Sequence, residues 1–313
     1  MKKYISIAIF IVGGLLLTPG LYAQQDPQFT HYMYNTLSVN PAYAGSRGLL
    51  NISALHRQQW IGLDGAPMTQ TVFVHSPLRN RKMALGFSAV NDRIGPLNQT
   101  FLYGDYSYTV KLTELLRLSF GVKAGVHWFQ PKISTLSTIA ANDPSFVNST
   151  VENTIKPNVG GGIYLHHENW YFGASSPRMI ESNFNLGNSS SGDTTQIREL
   201  RHYFFIAGGI FPVSPAIKLK PTAKLKMVQN APFSIDATVE ALLDNRFSIG
   251  AGMRLNDCFY GMVGYQFSDQ FKAGLSYDFS TTKIQKVSNG TVEIMLSYDF
   301  LFNNNKLKSP RYF

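Results

Sequence analysis

The chain has 313 residues, a formal net charge of +9, and few charged residues (15%) beside 13% aromatic residues and 26 glycines. This composition is poor for a helical enzyme and typical of a large antiparallel β structure. The single cysteine, Cys258, excludes an intrachain disulfide.

Residues 1–23 are predicted to be a cleaved signal peptide. Lys2 and Lys3 precede an apolar run, and the leader ends in the small residue Ala23. The alternative is a retained membrane helix, but a run of roughly a dozen apolar residues is short of the roughly 20 that a spanning helix needs.

Without Lys2 and Lys3, the formal net charge of the chain falls from +9 to +7. An exported chain seldom meets nucleic acid, so no nucleic-acid partner is predicted.

Residues 24–48 form an aromatic-rich N-terminal segment. Asp26 and Pro27 are favourable first residues for a short helix, which the run 40–45 would end in a turn. A disordered periplasmic tail is the alternative, but the aromatic content favours a plug or latch packed in or under the β structure downstream and facing the periplasm. The residues predicted to bind a partner or to plug are Asp26, Pro27, Phe29, Tyr32, Tyr34, Asn40, Pro41, Tyr43 and Gly45.

Apolar residues alternate with small or charged residues in many segments after residue 48. In 217–227, for example, every second residue from Lys218 to Lys226 is polar and the others are apolar. Such alternation predicts strands with two different faces. Fourteen strands are predicted, near 49–57, 68–76, 83–91, 98–111, 116–129, 157–167, 170–176, 201–212, 217–227, 232–242, 246–255, 259–267, 271–279 and 291–302.

The connections between these strands sort by length. Long polar connections follow odd-numbered strands (58–67, 130–156, 177–200 and 280–290), whereas mostly tight turns follow even-numbered ones. Strands of about 9–11 residues with this loop segregation predict a transmembrane antiparallel up-and-down β-barrel of about 14 strands over residues 49–302, with 303–313 as a periplasmic tail. A secreted β-sandwich or propeller is the alternative, but its strands average about five or six residues.

A barrel would turn its apolar face to outer-membrane lipid and its charged face to the lumen. The predicted lumen residues are Arg117, Lys123, Lys218, Lys220, Lys224, Lys226, Asp236 and Glu240. Aromatic residues near strand ends are expected at the membrane interfaces, namely Tyr106, Tyr108, Trp128, Trp170, Tyr171 and Tyr277.

No catalytic, cofactor or metal site is predicted. The seven histidines are scattered, and no GxSxG, HExxH or CxxC motif occurs. His166 and His167 would point to opposite faces of a strand and so could not share one metal ion. The glycines 160–162 lack dinucleotide-binding spacing and are expected to let a side chain or segment approach the wall. An outer-membrane hydrolase stays open, because its catalytic residues can lie far apart in sequence.

Several motifs are similar to those of one family. The runs DPQFTHYMYN (26–35) and VNPAYAG (39–45) resemble the opening signature of the PorP/SprF family, outer-membrane components of the Bacteroidetes type IX secretion and gliding apparatus. Later blocks, including GLSYDF (274–279) and SPRYF (309–313), extend the resemblance over essentially the whole mature chain. The Ser-His-Glu-Ile-like run of the family reads Thr291-Val292-Glu293-Ile294 here, so its histidine is missing while its acid is kept.

The resemblance implies a non-enzymatic component of the bacterial outer membrane that needs no cofactor. Its implied partners are other type IX secretion components, including periplasmic and peptidoglycan-linked proteins, and the C-terminal domains of secreted, adhesin-like substrates. A barrel of about 14 strands is too narrow to pass a folded domain, so docking or anchoring is predicted. The alternative function is an anion-favouring diffusion porin or uptake channel that uses the lumen lysines as its filter.

Overall fold

The structure, a computed structural model, describes residues 27–132, 153–188, 194–229 and 231–301. Within these residues, fourteen antiparallel strands close into a barrel, because each strand pairs with the next and the last pairs with the first. The strands are β1 (Leu50–Gln58), β2 (Met68–Pro77), β3 (Met83–Ile94), β4 (Leu97–Lys111), β5 (Arg117–Pro131), β6 (Thr154–His166), β7 (Trp170–Ser176), β8 (His202–Gly209), β9 (Ile217–Val228), β10 (Ser234–Leu243), β11 (Phe247–Arg254), β12 (Cys258–Gln266), β13 (Phe271–Ser280) and β14 (Thr291–Phe300). The predicted signal peptide, Asp26 and the predicted tail 303–313 lie outside the described residues.

The predicted barrel of about 14 strands is confirmed. The strand predicted near 201–212 is shorter than expected, since β8 ends at Gly209 and the two-residue strand Phe211–Pro212 then pairs with β9. The connection after β7 contains a two-stranded hairpin, Ser182–Asn188 with Thr194–Glu199, that the sequence analysis missed. Phe184 and Leu186 alternate with polar residues in the sequence of its first strand, but two apolar residues are too short a pattern to predict pairing within a polar connection.

Alternation along each strand sets the two faces of the barrel wall. On β5, Lys123 is buried inside, whereas its neighbour Val122 is 59% exposed outside. On β14, Glu293 is fully buried and Ile294 is exposed. The same rule places exposed large apolar side chains on the outside of strands all around the barrel, as contact with lipid requires.

Four of the six aromatic residues expected at the membrane interfaces are exposed, Tyr277 is partly exposed between the outward-facing Leu275 and Phe279, and Tyr171 is buried. Tyr106, Tyr108, Trp128 and Trp170 are exposed on the outer surface. The placement predicted for Tyr171 is wrong. It is buried in the lumen with its ring centroid 5.5 Å from that of Tyr164, because it follows Trp170 directly and neighbours on a strand face opposite sides.

Residues 27–48, called the plug segment below, lie inside the barrel and are mostly buried. They include a short helix, α1 (Thr36–Val39), and a 3-10 turn, Pro41–Tyr43. The helix predicted to start at Pro27 is wrong, because the backbone N–H groups of Thr30 and His31 donate to a carboxylate of the wall instead of forming helical hydrogen bonds. No helix among the described residues is long and apolar enough to cross a membrane.

Candidate functional site: a plugged lumen with an outer vestibule

The barrel has a short-turn end and a long-loop end. Turns such as 78–82, 112–116 and 244–246 lie at the first, and connections such as 59–67 and 281–290 lie at the second. The plug segment joins β1 at the short-turn end. Its other end, Pro27, lines the same cavity as residues of the long-loop end, including Trp60 and Asp257. The plug segment therefore runs lengthwise through the lumen, instead of lying below it.

A buried ionic cluster holds the first part of the plug segment. Glu293 accepts hydrogen bonds from the backbone N–H groups of Thr30 (2.9 Å) and His31 (2.7 Å), and His31 Nδ1 lies 2.8 Å from the same carboxylate. Arg57 donates to Thr30 Oγ1 (2.9 Å), Glu293 (3.1 Å) and Asp278 (2.7 Å). Each charge in the cluster is compensated, so removal of one partner would leave the others buried and unpaired.

Tyr32 continues the attachment of the plug segment to the wall. Its hydroxyl lies within hydrogen-bond distance of Thr222 (3.0 Å) and Thr238 (3.2 Å). The Lys224 ammonium lies 4.7 Å from the centroid of the Tyr32 ring, and Lys224 Nζ lies 3.1 Å from Asp236. Tyr32 therefore covers a predicted lumen pair with an aromatic face, a favourable contact for a desolvated cation.

Tyr34 lies among a second group of lumen charges, of which Lys220 and Glu240 were predicted. Its hydroxyl donates to Glu240 (2.7 Å) and accepts from Lys272 Nζ (2.6 Å). The Lys220 ammonium lies 4.3 Å from the centroid of the Tyr34 ring and 3.9 Å from Glu240. The plug segment thus occupies the space between these charges, which an open channel would leave to water and ions.

The turn at Asn40 rests on wall positions that have no side chain. Asn40 Nδ2 donates to the backbone oxygen of Ile163 (2.9 Å). A Cβ atom at Gly121 would overlap the backbone at Pro41 and Ala42, and one at Gly162 would overlap the Asn40 side chain. These glycines let the plug segment lie directly against the wall.

We expect Gly121→Val to displace the plug segment. The added methyl groups would meet the backbone at Pro41 and Ala42, and overpacking of this kind costs about 1–3 kcal/mol. The measurement is the temperature at which the folded barrel is lost in heated detergent samples. Gly104→Ala is the control, because the space around an added Cβ there is open apart from one backbone oxygen at 3.9 Å. Equal unfolding temperatures for the two variants would contradict this contact.

The plug segment leaves the lumen through a sharp turn. Gly45 has φ of +74°, and its N–H donates to His75 Nδ1 (3.1 Å). The Tyr43 ring packs edge-on against His75, with centroids 5.3 Å apart. Arg47 Nη2 then donates to Asp299 (2.7 Å), the inward residue near the end of β14. These contacts close the lumen at the short-turn end.

The predicted lumen residues fall into two groups. Six are buried, namely Lys123, Lys220, Lys224, Lys226, Asp236 and Glu240. Arg117 and Lys218 occupy the same inward-facing series but lie at the ends of β5 and β9 on the short-turn rim, where Arg117 is exposed and Lys218 partly exposed. The interior also contains Arg57, Asp105, Arg254, Lys272 and Asp278, which the prediction left out. Alternation along every strand would have found them, because each occupies an inward-facing position.

A cavity of about 820 Å³, called the vestibule below, lies above the plug segment at the long-loop end. Pro27 contributes to its floor, and its wall includes Trp60, Phe233, Arg254, Asp257 and Lys283. Phe233 is half exposed. The volume is typical of ligand sites, and the lining combines apolar and charged groups.

The hairpin 182–199 folds inward beside the vestibule. Phe184 packs in the barrel mouth with its ring centroid 4.8 Å from those of both His127 and Phe129 on β5. Glu199 lies 3.1 Å from Arg178 and 3.2 Å from His127. Farther out, the hydrogen bond from Arg198 holds the pKa of the Glu181 carboxyl below its ordinary value. The hairpin is thus attached by one buried aromatic and one buried carboxylate.

Comparison with solved structures finds outer-membrane barrels. The CymD monoaromatic hydrocarbon channel matches with a TM-score of 0.50 and 13% identity over 90% of this chain and 95% of that one. The P. putida toluene transporter TodX matches with a TM-score of 0.48 and 10% identity, over 86% and 95% of the two chains. The outer membrane protein Omp33 of Acinetobacter baumannii matches with a TM-score of 0.44 and 8% identity, over 80% and 98%. At 13% identity the similarity to CymD establishes only the fold.

The sequence itself identifies the family. No curated protein matches the chain. The profile of the family described as type IX secretion system membrane protein PorP/SprF matches residues 21–298. Together with the barrel fold, this match places the protein in the outer membrane as a membrane protein of type IX secretion. The chain belongs to the PorP/SprF family of type IX secretion system membrane proteins.

Proposed function

We propose that the chain docks or anchors secreted, adhesin-like polypeptides at the cell surface, as a non-enzymatic outer-membrane component of the type IX secretion machinery. The vestibule at the long-loop end receives the C-terminal domain of the substrate. The short-turn end faces the periplasm, where other secretion components, including peptidoglycan-linked proteins, make contact. Short turns of bacterial outer-membrane barrels lie on the periplasmic side.

The plugged lumen is the observation that carries this proposal. Aromatic residues of the plug segment lie between the charged groups of the interior. At the short-turn end, Arg47 is paired with Asp299. A barrel of 14 strands is also narrow beside the open channels of 16–18-stranded porins. Neither feature suits a conduit for protein. A closed barrel with an open outer cavity suits a receptor, and export is then the task of a larger partner.

The chemistry of the vestibule supports a polypeptide ligand. Trp60 and Phe233 offer aromatic surface of the type that dominates the binding energy of protein interfaces. Asp257 and Lys283 supply charges of both signs at the same cavity. A polypeptide can present apolar side chains together with charges of both signs, whereas a small anion would use only the cations.

Substitution of Phe233 tests the docking role. We expect Phe233→Ser to move surface-attached type IX substrates from the cell envelope into the culture fluid by several-fold, because the partner would lose an aromatic contact. Quantitative mass spectrometry of envelope and culture fluid measures this distribution. Phe211→Ser is the matched control, since Phe211 is similarly exposed but lies at the short-turn end. Unchanged envelope retention in the Phe233 variant, with barrel levels equal to wild type, would refute the vestibule as the docking site.

A further inference from the structure

The short-turn rim carries its charge unevenly. Turn 78–82 contains Arg79, Arg81 and Lys82, all exposed, and the flanks of turn 112–116 add Lys111 and Arg117. Glu114 is the one acidic residue in these two turns. On the other side of the rim, the turns contain the acids Glu168, Asp244 and Asp269 against the cation Arg246, and their flanks add Lys218. One side of the rim is therefore strongly basic and the other slightly acidic.

The two basic turns are adjacent. The backbone N–H of Thr109, near the end of β4, donates to the backbone oxygen of Lys82 (2.6 Å), which joins turn 78–82 to the hairpin that carries turn 112–116. Lys111 and Arg117 are direct cross-strand partners. Like charges in this arrangement repel each other, so the position is costly unless an anion compensates it.

The protein supplies only one such anion among the described residues. Lys111 Nζ donates to Glu114 (2.7 Å), and this contact holds the pKa of the Glu114 carboxyl below its ordinary value. Across the described part of the chain, no carboxylate lies within ion-pair distance of Arg79, Arg81, Lys82 or Arg117. Arg79, Arg81 and Lys82 are thus three exposed cations without a carboxylate at ion-pair distance among these residues, whereas the charge of Arg117 acts on Glu114.

Exposed leucines show which way these turns face. Leu112 continues the outward row of β4, in which Tyr106, Tyr108 and Val110 are also exposed on the outer surface. Leu78 likewise continues the outward row of β2. The lipid-facing apolar surface therefore extends to the start of turn 78–82, which places Arg79, Arg81 and Lys82 where the hydrocarbon region meets the headgroups.

We propose that turn 78–82, through Arg79, Arg81 and Lys82, binds the phosphate headgroups of anionic phospholipids in the adjoining leaflet. Cations beside a membrane attract anionic lipids, and arginine is well suited to phosphate because it can donate two parallel hydrogen bonds. A lipid fits better than an acidic protein, because the leucines next to these cations continue lipid-facing rows. The acidic opposite side of the rim would repel the same lipids.

Spin-labelled phospholipids test the proposal. The purified full-length barrel is reconstituted in phosphatidylcholine vesicles, and electron paramagnetic resonance measures the association of labelled phosphatidylglycerol relative to labelled phosphatidylcholine. We expect the wild type to prefer phosphatidylglycerol. In the variant Arg79→Gln, Arg81→Gln, Lys82→Gln, the ratio of phosphatidylglycerol to phosphatidylcholine association should fall at least about fivefold, since one cation near a membrane contributes roughly a factor of five.

A charge-matched variant distinguishes local binding from net charge. Arg198→Gln, Arg201→Gln, Lys286→Gln removes three cations from long-loop connections and should leave the preference unchanged. Heated detergent samples verify that each variant is folded. The proposal is overturned by a wild type without preference for phosphatidylglycerol, or by equal loss in both triple variants. It is also overturned if the Arg79, Arg81, Lys82 variant keeps its lipid preference but no longer co-purifies a periplasmic protein, because the rim would then be a protein-docking surface.

Discussion

Deletion of residues 27–45 is expected to convert a closed barrel into a conducting one while abolishing its role in secretion. The removed residues include Tyr32 and Tyr34, whose rings lie beside Lys224 and Lys220, so their loss opens a path lined by charge. Planar-bilayer recording should show almost no current for the wild type and stable single-channel steps for the deletion variant. The fourteen strands keep their pairing partners, so the variant should still insert.

Addition of the plug segment in trans provides the control for this experiment. A synthetic peptide of residues 27–48 should reduce the current of the deletion variant, whereas a scrambled peptide should not. In cells, the deletion should also release surface-attached substrates or prevent co-purification of periplasmic partners. A deletion strain with normal surface display and normal partners would show that the plug segment is dispensable for function.

The same recordings separate docking from the porin alternative. An anion-favouring porin predicts a wild-type barrel that conducts and selects for anions, with Lys224→Glu changing that selectivity and leaving surface display intact. The contacts of Tyr32 and Tyr34 oppose an open wild-type lumen. Moreover, Lys224 is paired with Asp236 and Lys220 lies near Glu240, so these lysines are balanced by acids.

Local patterns were sufficient to predict the barrel wall. Alternation is a property of neighbouring residues, so it located strands such as β5 and β9 and assigned Lys123 and Lys224 to the inward face before any pairing was known. Residues at strand ends were harder. Tyr171 is an aromatic residue near a strand end, as girdle residues are. It faces inward because it directly follows Trp170, which faces outward.

The path of the plug segment could not be predicted, because it depends on partners that are distant in sequence. Thr30 and His31 lie more than 260 residues from Glu293, and their bonds to its carboxylate replace the helix that the local sequence favours. The vestibule likewise arises from connections that meet only when the barrel closes. The hairpin 182–199 depends on the contact of Phe184 with His127 and Phe129, which sequence periodicity does not report.

Glu293→Gln is expected to release the plug segment and to destabilise the whole barrel. Glu293 is the acidic residue of the family's Ser-His-Glu-Ile-like run, whose histidine is missing in this chain. Its carboxylate accepts hydrogen bonds from Thr30, His31 and Arg57. A neutral amide would leave Arg57 with Asp278 as its only carboxylate partner among the described residues. Breaking a buried ion pair typically costs about 3–5 kcal/mol. Urea unfolding in lipid vesicles, followed by tryptophan fluorescence, should show a lower midpoint.

Glu114→Gln is the matched control for that measurement. It makes the same chemical change at the exposed pair with Lys111, where water screens the charges, so the unfolding midpoint should not move measurably. Glu293→Gln should also produce intermittent current in planar bilayers, because a loosened plug segment would leave the lumen from time to time. If the two variants unfold at the same urea concentration and neither conducts, the attachment of the plug segment must lie in the contacts of Tyr34 and Arg47, not in the cluster around Glu293.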